Sequence, residues 1–202
     1  MKVLEFYDLD GTLSKLNNTF DFLKEYFKEK YKVRYFLLYV LDRLLPFIPI
    51  DEKFKRRFLI NILIYGLNSK DMEVFYEKKY KKLFMDSLTP LGKELLNRDK
   101  KENIYLLTGC IEIPAKNIAN TLGFPKDNII CTTLKIKNNK IKGILNDTFG
   151  NYKIIYLQRI LKRFNEKVYL IYYTDDIKNE NKLIELFDVV YLINGDNYER
   201  IK

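Results

Sequence analysis

Val3-Leu4-Glu5-Phe6-Tyr7-Asp8-Leu9-Asp10-Gly11-Thr12-Leu13 decides how this chain is read, because an apolar run ends there in two carboxylates and a glycine. Alternate side chains of a strand share a face, so Asp8 and Asp10 can converge on one point just beyond the strand's carboxyl end. Such a pair suits a cation and a phosphate. One carboxylate of such a pair can attack phosphorus to form an aspartyl-phosphate, while its neighbour can exchange protons with the leaving group and then with water. Gly11 tolerates the positive φ of a sharp turn. Asp and Gly are also ordinary turn residues, so the motif alone leaves a plain hydrophilic turn as an even alternative. The surrounding chain decides between the two.

From about Phe20 to Met85 the spacing of apolar residues is helical, in long segments rich in Lys and Tyr. Breaks at Pro46 and Pro49 and at Gly66-Leu67-Asn68-Ser69 divide it into about four helices, with Ser69 expected to cap a helix through Met85. Its Tyr and Phe residues read as core rather than as a ligand box. A helix then ends at Asn97 and leads to a strand, Ile104-Tyr105-Leu106-Leu107, after which Thr108-Gly109-Cys110 opens a helix to Leu122-Gly123. Thr132 to Leu145 reads as a β-hairpin around Asn138-Asn139. Gly150-Asn151-Tyr152-Lys153 opens a helix to about Phe164, and the strand Val168 to Tyr173 delivers Thr174-Asp175-Asp176. A last helix and the strand Val189 to Ile193 are expected to finish the fold. The expected class is α/β, with a parallel sheet interrupted by a helical insertion. Such sheets bind ligands outside the strands' carboxyl ends, where Asp8, Asp10, Thr108 and Asp175 all fall.

Composition narrows the chemistry further. With 202 residues the chain holds one domain, or one domain carrying an insertion. The absence of His excludes His-based triads and His-ligated metals, but carboxylate phosphoryl chemistry needs no His. The net charge of +9 suits a polyanion, an anionic membrane or solubility, and solubility is the simplest reading. No aromatic-and-basic nucleic-acid signature accompanies it, so no nucleic-acid partner is expected. Cys110 and Cys131 form no CxxC pair, and no export signal opens the chain, which suggests a reducing cytoplasm with no disulfide required. The apolar run Tyr35 to Leu41, ended by Asp42-Arg43, is too short to span a bilayer.

Taken in order, these motifs resemble the haloacid dehalogenase superfamily of phosphatases over essentially the whole chain. Asp8 to Leu13 resembles the first motif, Leu106-Leu107-Thr108-Gly109 the second, Lys153 the third, and Tyr173-Thr174-Asp175-Asp176 the fourth. The resemblance implies a Rossmann-like core over residues 1–15 and 87–202 and a helical cap over residues 16–86, as in the branch that includes phosphoserine phosphatases. It implies Asp8 as nucleophile and metal ligand, and Asp10 as general acid and base whose backbone oxygen also binds metal. Asp175 becomes a further ligand of Mg²⁺, with phosphate held by Thr108, Gly109 and Lys153. The family often carries a second carboxylate four residues after the first in motif four. Here that position is Asn179, which leaves Asp176 or Glu180 to stand in, and leaves a phosphate- or metal-binding module without turnover as the rival reading.

Substrate is less constrained. Phosphoserine phosphatases hold the substrate's amino group with a carboxylate shortly after the first motif, where this chain has Asn17-Asn18-Thr19. The cap resembles instead that of the phosphatidylglycerophosphatase of the haloacid dehalogenase type. The similarity lies in Phe20-Asp21-Phe22-Leu23, the Leu-, Ile- and Pro-rich stretch Leu44 to Ile50, and the basic helix Lys53 to Phe58. Apolar residues beside Lys53, Lys55, Arg56 and Arg57 suit peripheral contact with an anionic membrane and a lipid phosphomonoester. A buried helix with a solvated basic face is the alternative favoured over it. Small soluble phosphomonoesters therefore stay in view, and the oligomeric state is left unassigned.

Overall fold

Leu4 and Phe6 face one apolar cluster and Tyr7 another, so the strand that carries them has cover on both sides and belongs at the centre of a sheet. The computed structural model describes residues 1–44, 49, 51–99 and 102–202. Its strands are β1 (Lys2–Tyr7), β2 (Ile104–Ile111), β3 (Ile129–Lys137), β4 (Lys140–Asn146), β5 (Val168–Thr174), β6 (Val189–Asn194) and β7 (Asn197–Arg200). They form one sheet in the order β4-β3-β2-β1-β5-β6-β7. The inner pairings are parallel, and β4 and β7 close the two edges antiparallel, so the sheet is mixed.

The β3–β4 hairpin turns at Asn138 and Asn139, both at positive φ (51° and 59°), as a two-residue loop requires. Strand β7 lies beyond the expected last strand. Its side chains, Asn-Tyr-Glu-Arg, are all exposed, so no apolar alternation marks it in the sequence. Strand β2 also runs past Leu107, and the helix expected from Thr108 begins only at Glu112. Two donors hold this segment extended: Arg56 Nη2 and Thr132 Oγ1 both bond the Gly109 carbonyl. Ile111 still pairs with Thr132 of β3.

Between β1 and β2 come α1 (Asn18–Lys30), α2 (Lys32–Leu44), α3 (Glu52–Ile64), α4 (Ser69–Phe75), a π-helical turn (Tyr76–Tyr80), α5 (Lys81–Asp86) and α6 (Pro90–Leu96). The expected break at Pro46, with most of the Leu44 to Ile50 stretch, lies outside the described residues. Asn68, not Ser69, caps α4, its side chain accepting from the Lys70 and Asp71 amides. The helix expected through Met85 is interrupted by the π turn. Buried Met72, Tyr76, Tyr80 and Phe84 recur every fourth residue. In an unbroken α-helix such a stripe drifts by about 40° at each step. The wider π turn rotates it back toward α1, where Phe22 meets Phe75 and Tyr80 edge-on at 5.8 and 5.2 Å. These aromatics are core, as expected, and each contributes roughly 1.5–3 kcal/mol by burial.

After β2 the chain continues through α7 (Glu112–Leu122), α8 (Lys153–Leu161) and α9 (Ile177–Ile184). Helices α8 and α9 cover the face of Leu4 and Phe6, and the helices inserted after β1 share the other cluster with Tyr7. Helix α6 is pinned to the loop after β1: Thr89 Oγ1 donates to the Thr12 carbonyl at 2.7 Å, and Gly92 lies where a Cβ would come within 2.2 Å of the Leu13 oxygen. Cys110 and Cys131 are buried free thiols. Among the described residues no helix is long and apolar enough to cross a membrane.

Candidate active site

The adjacency of β2, β1 and β5 brings three carboxyl ends together at the middle of the sheet. Asp8 is the first residue past β1, and its amide donates to the Tyr173 carbonyl at 2.9 Å, tying the ends of β1 and β5. Gly11 has φ +71°, and a Cβ there would lie 2.0 Å from Asp175 Oδ2. Only glycine meets both conditions, and the reward is a close approach of Asp175 to the loop, where Thr12 Oγ1 donates to its Oδ1 at 3.2 Å.

Asp8, Asp10, Gly109, Lys153 and Asp175 line one cavity of about 220 Å³. Thr108, expected to hold phosphate, is fully buried and is not among the lining residues. Its hydroxyl oxygen accepts from the Cys110 amide and its carbonyl accepts from Thr148 Oγ1, so it braces the segment that presents Gly109. Asp8 Oδ1 accepts from the Leu9 amide at 2.7 Å, and its Oδ2 lies 3.0 Å from Lys153 Nζ. Asp10 is pushed up to about 6, first by desolvation and then by the Asp8 charge. Asp175 is pushed up to about 7 by partial loss of hydration at the cavity rim and by the same charge.

Lys153 opens α8 and is 1% exposed. Its ammonium meets Asp8 Oδ2, Glu180 Oε1 at 2.5 Å and Tyr172 Oη at 3.1 Å. Burial works against its charge, but Asp8 and Glu180 more than offset that, and its pKa is raised. Glu180 reaches inward because its backbone leaves the helical region inside α9, at φ −115° and ψ 15°. Thr174 Oγ1 and Tyr172 Oη also donate to its Oε2, at 2.7 and 2.8 Å. Asn179 does not take part: its amide donates to both oxygens of Asp176, at 3.1 and 2.8 Å. Of the two stand-ins left open by the sequence, Glu180 is the one that meets Lys153.

Three further residues belong to the site. Arg56, read in the sequence as one of a basic group facing a membrane or solvent, turns into the cavity instead. Its Nη2 donates to the Gly109 carbonyl at 2.5 Å, its Nη1 lies 3.7 Å from Asp147 Oδ1, and its guanidinium stacks 4.6 Å from the Phe149 ring centre. Nη1 is buried without a hydrogen-bond partner. Helical spacing places position 56 on the arc of Ile60 and Leu63, the signal that could have found it. Asn18, fully buried, donates to Asp10 Oδ1 from both its backbone and its side-chain nitrogen at 2.8 Å. Tyr80, on the π turn, donates in turn to Asn18 Oδ1 at 3.2 Å.

The sequence profile of haloacid dehalogenase-like hydrolases matches residues 6–177. The chain belongs to that family. Among solved structures, this hydrolase is similar to a protein of unknown function from Bordetella pertussis Tohama I, with a TM-score of 0.76 at 16% identity, covering 94% of this chain and 89% of that one. It is also similar to a phosphoserine phosphatase from T. onnurineus (TM-score 0.59, 19% identity, 94% and 82% covered). A third is a phosphoserine phosphohydrolase-like protein from Francisella tularensis (TM-score 0.60, 15% identity, 94% and 86% covered). At these identities the likeness is one of fold. No curated protein sequence matches the chain.

The cavity of this haloacid dehalogenase-like hydrolase fits a hard divalent cation. Five acidic residues (Asp8, Asp10, Asp175, Asp176, Glu180) line it against two basic ones, Arg56 and Lys153. An arriving phosphate would add to an excess of negative charge, which a cation relieves. The donors are oxygens, as Mg²⁺ prefers. Among the described residues no three His, Cys, Asp or Glu side chains are gathered at metal-holding spacing. The set that the family resemblance implies has only two carboxylates, Asp8 and Asp175, and needs no such trio.

Proposed function

We propose that this hydrolase is a Mg²⁺-dependent phosphomonoesterase in which residues 16–86 act as a cap over the cavity. The observation that carries the reading is the pair Asp8 and Asp10 at the end of β1, with Lys153 Nζ 3.0 Å from Asp8 Oδ2. An Asp8 oxygen attacks phosphorus, the bond from phosphorus to the ester oxygen breaks, and Asp10 gives its proton to the departing alkoxide. Water then attacks the aspartyl-phosphate, Asp10 takes a proton from it, and the bond from phosphorus to Asp8 breaks to release phosphate. Burial holds the Asp10 carboxyl above the ordinary carboxylate range, which suits it to give and to take the proton. Lys153 and the Gly109 amide stabilise the charge on the transferring group. The cation, when bound by Asp8, Asp175 and the Asp10 carbonyl, supplies charge neutralisation for the phosphoryl oxygens.

The substrate is either a small soluble phosphomonoester or a lipid phosphate such as phosphatidylglycerophosphate. Phosphoserine is the less supported candidate: Asn17 lines the cavity without charge, and Asn18 is committed to Asp10. The buried Nη1 of Arg56, which meets Asp147 only at 3.7 Å and makes no hydrogen bond, favours a substrate with a second anionic or carbonyl oxygen. A binding module without turnover, suggested by Asn179, is weakened by Glu180, which gives Lys153 its second carboxylate. The test is phosphate release from p-nitrophenyl phosphate and from a panel of amino-acid, sugar and lipid phosphates. Release that requires Mg²⁺ and stops on chelation is expected, and its absence throughout the panel from folded, Mg²⁺-supplied protein would favour the binding module.

The relay from Tyr80 through Asn18 to Asp10 gives a second expectation. Tyr80→Phe leaves Asn18 Oδ1 without its donor and frees the amide that holds Asp10. Turnover of alkyl phosphates, whose leaving group needs a proton, is expected to fall about tenfold. The first-turnover burst of p-nitrophenolate, which leaves readily as an anion, should hardly change, while hydrolysis of the aspartyl-phosphate, in which Asp10 is the base for every ester, slows alike for both. An equal fall in the first-turnover rates of both esters would reduce Tyr80 to a packing role.

A further inference from the structure

Helix α3 is apolar on two opposite faces. Leu59, Ile60, Leu63 and Ile64 are buried on one, along the arc that also turns Arg56 into the cavity. On the other, Phe54, Phe58 and Ile62 recur every fourth residue and are 58%, 50% and 40% exposed, the two rings stacked at 6.2 Å. A helix whose outer face meets only water is polar there. The polar side chains are displaced to the seams between the faces, where Lys55 and Arg57 flank the aromatic stripe on its two sides. Bulky apolar residues bordered by long cationic side chains suit a helix lying in a lipid interface, with the rings among the acyl chains and the cations reaching the headgroups.

Charge selects the occupant. An anionic phospholipid surface complements these two cations and the net charge of +9. A second copy of the chain would set the same cations against each other. The place of α3 in the molecule adds a purpose. Lys53 Nζ lies 5.4 Å from the Tyr152 ring centre, and Lys178 pairs with Glu52 at 3.4 Å. Tyr152 and Lys178 lie two residues from the cavity-lining Gly150 and Asp176. The first turn of α3 therefore stands beside the cavity.

We propose that the outer face of α3 docks on an anionic phospholipid surface, inserting Phe54, Phe58 and Ile62, and so presents the cavity to phosphomonoesters held in that surface. The second half rests on the phosphatase reading; the docking does not. The test is co-sedimentation of the full chain with vesicles of mixed phosphatidylglycerol and phosphatidylcholine, and with vesicles of phosphatidylcholine alone. Binding to the mixed vesicles only is expected, weakened at least about tenfold by Phe54→Ser with Phe58→Ser. That variant should turn over soluble p-nitrophenyl phosphate as the native chain does. If it fails to fold, Lys55→Gln with Arg57→Gln decides in its place, with binding again reduced. Equal binding to both vesicles, or undiminished binding by either variant, overturns the proposal. So does a dimer abolished by the Phe substitutions in a chain that ignores vesicles. Vesicle binding without turnover of any ester supports the docking and overturns the phosphatase reading instead.

Discussion

Asp8→Asn is expected to lower phosphate release from p-nitrophenyl phosphate by at least about 10³-fold while the protein stays folded. The amide keeps the shape of the carboxylate and an oxygen for the Leu9 amide, which now donates to Asp8 Oδ1. It cannot form the acyl-phosphate bond at neutral pH. Stability should change little, because two effects oppose: the new side-chain nitrogen faces Lys153 Nζ in the place of Asp8 Oδ2, donor against donor, while one charge leaves a crowded group of carboxylates. The Asp8 charge is one of the causes that push Asp10 up to about 6 and Asp175 up to about 7, so its removal relieves two crowded carboxylates. Lys153 keeps Glu180 as its counter-charge. Thermal melting of the variant alongside its kinetics therefore separates lost chemistry from a lost fold. Turnover within tenfold of native would remove Asp8 as the nucleophile, whatever the melting temperature.

Which parts of this site can be read from sequence follows from how each residue is held. Asp8, Asp10 and Asp175 end apolar strands, and strand ends announce themselves through composition. Lys153 is legible only through its order in the chain and the preceding Gly150, since one Lys among many carries no signal of its own. Arg56 hides in a run of four basic residues, Lys53 to Arg57 with Phe54 inside it, where charge suggests solvent and only helical phase points inward. Tyr80 is legible as core but not as the donor to Asn18, because the π turn that aims it leaves no mark in the spacing of apolar residues. The extension of β2 through Ile111 depends on Arg56 and Thr132, each far away in sequence. Strand β7 has no buried face to leave a pattern.

The family's habitual second carboxylate poses the sharpest test of the geometry, because the family resemblance and the structure give opposite expectations. Position 179 would invite Asn179→Asp as a repair. The structure argues the reverse: the Asn179 amide donates to both Asp176 oxygens, and an aspartate there would set two carboxylates within hydrogen-bonding distance with no donor between them. Asn179→Asp is expected to leave turnover unchanged or lower it, and to destabilise the start of α9. Glu180 is the residue whose loss should be felt. It is 1% exposed and accepts from Lys153, Tyr172 and Thr174 at once. Glu180→Gln preserves its outline but removes the charge that pairs with Lys153 and makes the Tyr172 and Thr174 hydroxyls turn from donors into acceptors, a loss worth about 1–3 kcal/mol in a buried site. Lys153 is then left with Asp8 as its one carboxylate partner and is drawn onto the nucleophile's lone pairs. A fall in kcat of about 10²-fold with little change in KM is expected, together with a lower melting temperature. The double variant Glu180→Gln with Lys153→Met should be no slower than Lys153→Met alone, because Glu180 acts through the lysine. Additive losses in that cycle would mean that Glu180 works on the phosphate by some route other than Lys153.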